Sequence, residues 1–275
     1  MAFLTEAPPQ RGVALPVAPG VRRIVAGNPG PMTYHGTNTY LIDAIPGITR
    51  AATVLDPGPD EPAHRAAILD AAAGQVGLII LTHGHADHAA GAAALRAATG
   101  APVAAFAGAT ATPDLPLRGG DHVVGLEVLH MPGHAADHLC LVGRDGVLFS
   151  GDHVMSWASS AIIPPDGDMA AYMAGLLRLL RRDDRLYLPG HGPPLPEPRA
   201  LVAELLAHRQ AREAEVLAAL ADQPRDEATL LRAIYPDLAP GLTAAAVATL
   251  QAHLRKLAAD GQVVGKAGRW RITAG

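Results

Sequence analysis

Four metal-capable side chains fall within six residues at the end of an apolar run, Leu78-Ile-Ile-Leu-Thr-His83-Gly-His85-Ala-Asp87-His88. A fold for this chain has to bring a strand end, a tight turn and a helix start together there, so that His83, His85, Asp87 and His88 share one cleft. Imidazole and carboxylate are ligands that suit Zn²⁺, Mn²⁺ or Fe²⁺. As core residues, four such groups this close would each need a buried polar partner, which makes a packing role a poor explanation. The helix predicted behind them, over residues 86–98, turns its N-terminus toward the cleft and favours anionic groups there.

This cluster alone is too small to close two metal sites, so further ligands are expected from other strand ends. Three segments repeat the same grammar of apolar strand, glycine and ligand. They are Pro132-Gly-His134, Ser150-Gly-Asp152 and Pro189-Gly-His191. Glycine lets the backbone turn sharply beside a crowded centre.

From residue 21 to about 198, short apolar runs alternate with Gly and Pro turns, which predicts a mixed sheet covered by helices. Strands are expected at 40–42, 52–56, 77–82, 103–106, 126–130, 139–142, 147–150 and 185–188. Helices are expected at 62–73, 86–98 and 168–180. The proline-rich Pro193-Pro-Leu-Pro-Glu-Pro198 can continue neither a helix nor a central strand. Beyond it, 199–221, 226–234 and 243–259 read as helices and 262–272 as a hairpin. The expected division is therefore a catalytic domain over 1–198 and a winged-helix-like domain over 199–275.

Composition sets limits on function. Hydrophobic residues make up 49% of the 275 and aromatic ones only 4%, so the core rests on Leu, Val, Ile and Ala. The net charge of −4 argues against a surface that is a nucleic-acid footprint throughout. It leaves room for a local basic patch, and Arg255, Lys256, Lys266, Arg269 and Arg271 gather late in the chain. The single cysteine, Cys140, excludes a disulfide framework and reads as a buried strand position. Neither a signal-like leader nor an apolar run of about 18 residues is evident, so a cytoplasmic protein without a membrane partner is expected.

His83-x-His85-x-Asp87-His88, followed by separate His134, Asp152 and His191, resembles the ligand set of the metallo-β-lactamase superfamily over about residues 21–194. The resemblance implies an α/β fold of the αβ/βα sandwich type. It implies one ion on His83, His85 and His134, another on Asp87, His88 and His191, and Asp152 between them. Asp56 matches the family's carboxylate that orients a ligand loop from outside the ligand set. His153 and His138 are expected to be outer hydrogen-bonding partners, or else structural histidines. Asn28-Pro-Gly-Pro-Met32, Gly36-Thr-Asn-Thr-Tyr-Leu41, Gly151-Asp-His153 and the winged helix are similar to the lactamase-beta-2-like branch, which includes an endoribonuclease acting on single-stranded RNA.

Such a centre implies two divalent ions, Zn²⁺ first with Mn²⁺ or Fe²⁺ as alternatives. Roughly 3.5–4 Å apart, they would acidify a shared water and polarise the bond it attacks. Asp87 and Asp152 carry the expected catalytic roles, Asp87 by orienting the nucleophile or holding its proton. A phosphodiester in single-stranded RNA is the first substrate expected, because the winged-helix resemblance, the bridging Asp152 and the helix N-terminus all suit an anionic substrate. The alternative is a small thioester, ester or lactone, hydrolysed as in glyoxalase II. A β-lactam is disfavoured because the family's β-lactamases lack an aspartate at the place of Asp152, and an iron sulfur dioxygenase stands as a further alternative. A diiron flavoprotein is disfavoured, since it wants a glutamate where His85 stands. No substrate-contacting residue can be named from the sequence.

Overall fold

The computed structural model describes residues 2–273 apart from Pro46, Ala111 and Ala239. Seven strands form one sheet in sequence order: β1 (Leu15–Ala18), β2 (Val21–Val25), β3 (Asn38–Ile42), β4 (Ala52–Leu55), β5 (Val76–Ile80), β6 (Val103–Phe106) and β7 (Leu115–Leu117). From β4 to β7 the neighbours run parallel. Parallel neighbours need crossovers, and here α1 (Pro62–Ala71) and the pair α2 (Ala86–Ala89) and α3 (Ala92–Thr99) provide two of them. Side chains alternate as a pleated strand requires. Tyr40, Ile42, Leu55, Leu78 and Ile80 point into the sandwich, whereas Leu41, Val54 and Ile79 meet Ile68 and Leu95 of the covering helices.

The second sheet is ordered β13-β12-β11-β10-β9-β8, built from β8 (His122–Val123), β9 (Leu126–His130), β10 (Leu139–Val142), β11 (Val147–Gly151), β12 (Leu186–Pro189) and β13 (Leu195–Pro196). Val128, Leu141, Phe149 and Leu188 complete the inner core. On the outer face Leu129, Cys140, Leu148 and Tyr187 lie under α4 (Met169–Leu179) and α5 (Arg199–Leu220). The result is an αβ/βα sandwich. Asp168 caps α4 by accepting from the Ala171 N–H at 2.7 Å.

The C-terminal part is a winged helix. Val216 and Leu220 from the far end of α5 pack with Leu230 and Ile234 of α6 (Glu227–Ile234) and with Leu250, Leu254 and Leu257 of α7 (Thr243–Ala259). The expected hairpin gains a third strand, because β14 (Arg225–Asp226) pairs with β16 (Arg269–Ile272) beside β15 (Val263–Lys266). Among the described residues no helix is long and apolar enough to cross a membrane.

Two departures from the sequence reading have physical causes. β2 carries Arg22-Arg23 and shows no apolar alternation, yet Arg23 is buried because Glu6 pairs with it at 2.8 Å. The single helix expected over 86–98 breaks at Ala90-Gly91. There the Gly91 N–H donates to the Gly58 carbonyl at 2.9 Å. A side chain at Gly91 would meet the carbonyls of Pro57, Gly58 and Pro59 at 3.0–3.1 Å, so the backbone approaches that loop as only glycine allows.

Candidate metal centre

Parallel register gathers the expected ligands at one edge of the sandwich. Leu55 pairs with Ile80, so Asp56 and the His83–His88 segment leave neighbouring strands side by side. Gly151 pairs with Pro189 in the other sheet, which brings Asp152 next to His191. His134 arrives from the loop after β9. His83, His85 and His134 offer ligand atoms all within 4.8 Å of one another, as do Asp87, His88 and His191, and also His83, His88 and Asp152. The Asp152 carboxylate lies between the two outer groups: one oxygen is 3.5 Å from His88 Nε2, and the other is 3.4 Å from His191 Nε2 and 3.6 Å from His134 Nε2.

The outward ring nitrogens fix which imidazole atom faces inward. The Thr82 hydroxyl donates to Asp56 Oδ2 at 2.7 Å, so at 3.0 Å it must accept from His83 Nδ1–H. That leaves the His83 Nε2 lone pair toward the centre. His88 Nδ1–H donates to Asp56 Oδ2 at 2.9 Å, His134 Nδ1–H to the Ala161 carbonyl at 2.9 Å, and His191 Nδ1–H to the Gly36 carbonyl at 3.3 Å. Four buried rings therefore turn their Nε2 atoms inward. The fifth, His85, presents Nδ1 at 2.9 Å from His83 and 3.0 Å from His134.

Lone pairs this close repel one another unless a proton or a metal cation lies among them. Burial, helped by neighbouring imidazoles, keeps His83 and His134 below the usual histidine pKa, in the neutral state that a metal needs. Burial also opposes charge on His88, but Asp152 and Asp56 outweigh it and hold that pKa well above its ordinary value. His191 behaves alike, pushed up to about 9 against burial by Asp152 and Asp87. Asp152 Oδ1 is buried with no hydrogen-bond partner among the described residues. Neutral imidazoles on one side, a negative field on the other and an orphaned carboxylate oxygen between them fit divalent cations.

The outer residues divide. Asp56 is 2% exposed and accepts from the Thr82 N–H, the Thr82 hydroxyl and His88. His138 Nε2 accepts from the Asp152 N–H at 3.1 Å. His153 is buried, and neither of its ring nitrogens has a hydrogen-bond partner among the described residues. Asn38 donates to the carbonyls of Pro189 and Gly192 and so braces the turn that carries His191. His64 and His253 stand elsewhere, bonded to Thr39 and Glu213. Sequence reading misses the carbonyls of Gly36 and Ala161, because a backbone acceptor leaves no mark in side-chain identity.

Beside His83 and His85 opens a cleft of about 510 Å³, walled by Val103, Ala105, Phe106 and Pro113. Among the described residues its charged lining groups other than histidine are the carboxylates Asp137 and Asp166, and neither Lys nor Arg takes part. Burial raises the Asp137 pKa, with Asp166 nearby adding to it.

A profile described as the metallo-beta-lactamase superfamily matches residues 32–120, and one for a beta-lactamase associated winged helix domain matches residues 228–270. A beta-lactamase-like protein 2 homolog of Drosophila melanogaster is 29% identical over 269 residues, 88% of this chain and 89% of that protein. The lactamase-like protein vrtG of Penicillium aethiopicum is 32% identical over 216 residues, 74% of this chain and 67% of its own. An atrochrysone carboxyl ACP thioesterase of Aspergillus terreus is 30% identical over 220 residues, 77% of this chain and 66% of that protein. The chain thus spans about two thirds of these two fungal relatives. A beta-lactamase domain protein from Burkholderia ambifaria superposes with a TM-score of 0.83 at 26% identity, over 96% of this chain and 95% of that one.

Proposed function

Because this chain belongs to the metallo-β-lactamase superfamily and carries its associated winged helix, we propose that it is a thioester hydrolase that uses two divalent cations, Zn²⁺ first. In this reading residues 1–198 carry the chemistry and 199–275 complete the substrate's surroundings. One ion is assigned to His83, His85 and His134 and the other to Asp87, His88 and His191, with Asp152 shared. The cations supply a Lewis acid and an acidified water.

The observation that carries the choice of substrate is the cleft beside His83 and His85, apolar on its strand side and acidic on the other. A neutral thioester fits those walls. A polyanionic RNA strand would meet Asp137 and Asp166 with no lysine or arginine among the described lining residues to offset them. The ACP thioesterase among the relatives supports the same reading. The anion-binding helix expected from the sequence is here the single turn of α2, whose dipole is small.

Asp87 is the residue placed to handle protons. Burial works against its charge, but its hydrogen bond with His191 and the nearby His88 outweigh burial and hold its pKa below the ordinary value. Its side chain is 31% exposed, open to an incoming water. In the proposed reaction Asp87 takes a proton from the attacking water, whose oxygen bonds to the thioester carbonyl carbon. The C–S bond then breaks, the sulfur leaves with its electron pair, and Asp87 returns the proton to it. The products are one carboxylic acid and one thiol.

Metal-loaded protein assayed with acyl thioesters of N-acetylcysteamine, single-stranded RNA and bis-p-nitrophenyl phosphate tests this. Thiol release is expected, and replacing Lys266, Arg269 and Arg271 together by Gln should leave it unchanged. RNA cleavage faster than thiol release would overturn the proposal. The RNA alternative would show as a log–log salt slope that shrinks in that triple variant by about 0.7 for each phosphate no longer held by a basic side chain.

A further inference from the structure

A second cavity, of about 370 Å³, lies between the sandwich and the C-terminal helices, within the size range of ligand sites. Met32, Met155 and Trp157 form one side, and Tyr235, Leu242 and Ala246 form the other. Met32 and Leu242 stand on its rim, 43% and 39% exposed. The one arginine among its described wall residues, Arg209, is already engaged, donating to the Ser159 hydroxyl at 2.6 Å and the Ser160 carbonyl at 2.5 Å. Trp157 Nε1 and His208 Nδ1 in the same wall are buried without hydrogen-bond partners among the described residues. Burial and the nearby arginines lower the His208 pKa to about 4, so that ring is neutral. The chamber is therefore mainly apolar, and it holds polar atoms that have nothing to bond.

Its wall is also the support of the metal centre. Ser160 donates to the Asp152 carbonyl at 2.6 Å, and the Ala161 carbonyl holds His134. Trp157 lies over the turn after His191, where a side chain on Gly192 would come within 2.5 Å of its ring. Two wall positions thus bond two proposed ligands, and a third packs against the residue that follows His191.

We propose that this interdomain cavity is the acyl subsite, taking the apolar acyl group of the thioester while the thiol arm occupies the cleft beside His83 and His85. The subsite rests on the thioesterase reading, and α6 and α7 become the elements that set acyl preference.

Trp157 and Trp270 are the two tryptophans of the chain, so Trp270→Phe leaves Trp157 as a reporter. The probe is a non-hydrolysable octanoyl ketone in which CH₂ replaces the thioester sulfur. Saturable blue-shifting of Trp157 emission is expected as water leaves the indole. Ala246→Phe, which fills the cavity, should abolish the shift, as should Leu242→Arg at the rim, which keeps a second route open should the first variant fold poorly. In turnover, either variant should lower the octanoyl-to-acetyl ratio of kcat/KM at least tenfold. No shift in the Trp270→Phe parent, or a shift that survives both variants, overturns the subsite. A shift that both variants abolish, where neither thioester turns over, keeps the cavity as a site for an apolar chain and overturns the thioesterase reading.

Discussion

Asp56→Asn isolates the hydrogen bonding that orients the centre. Asp56 sits at φ +50°, in the left-handed region that Asn tolerates at least as well as Asp, so the backbone is undisturbed. The carboxylate accepts three bonds, two from Thr82 and one from His88. An amide has one accepting oxygen. If that oxygen keeps the Thr82 N–H, the NH₂ group faces both the Thr82 hydroxyl and His88 Nδ1–H. Thr82 cannot simply turn, since its oxygen already accepts from His83. The way out is for His88 to move its proton to Nε2, the atom that must stay bare to bind a cation. A charge-assisted bond of this kind contributes about 1.5–3 kcal/mol. The part felt by the metal should weaken its binding by roughly 10–100-fold, or about 1.4–2.7 kcal/mol. Competition against a chromophoric chelator measures this, and melting of the metal-free variant separates lost affinity from lost fold. Affinity within twofold of the parent, in a folded variant, would refute the tautomer argument.

Asp152→Ala should lose at least one metal per chain in elemental analysis, because its two oxygens reach both ligand groups; a full complement would contradict the shared role. Gly190→Ala places a methyl 2.3 Å from Asp152 Oδ1 and 2.7 Å from His88, so metal affinity should drop about tenfold or more with secondary structure intact by circular dichroism. His64 is pushed down to about 4 by burial, with Arg11 adding to it, whereas the unfolded chain protonates near 6.5. The unfolded state therefore binds more protons between those values, and stability should fall as pH drops from about 6.5 toward 4. His64→Gln should make that slope shallower in urea titrations of metal-free protein; an unchanged slope would count against it. Arg209→Met should weaken metal binding through the Ser160–Ala161 loop, with Arg209→Lys restoring part of the loss, and equal affinity in all three proteins would remove Arg209 from that role.

Much of the centre is legible in the sequence because metal-capable residues announce themselves by type. His83, His85, Asp87 and His88 follow one strand, and the other three repeat a glycine–ligand pattern. What orients them is not legible. The acceptors for His134 and His191 are main-chain carbonyls of Ala161 and Gly36, 27 and 155 residues away in sequence. The expectation of RNA draws on the winged helix and the helix N-terminus, with a lesser hint from the basic residues late in the chain. Among these Lys256 already pairs with Glu213 and Asp260, pairings that a linear count of charge does not show. β2 is hidden because a buried arginine looks like a surface residue until Glu6 is seen beside it.

The helix α5 has a consequence for modularity. Its Leu201, Val202, Leu205 and Leu206 seal the outer face of the second sheet, while Val216 and Leu220 belong to the winged-helix core. One rigid rod is thus a wall of both compartments, and neither can lose it without exposing apolar surface. Heat or denaturant should register as one transition for the whole chain, and a fragment ending at Pro198 would leave Cys140, Leu148 and Tyr187 without part of their cover. Exchange of the winged helix between relatives, by recombination or by design, has its workable seam in the middle of α5, between the two sets of contacts.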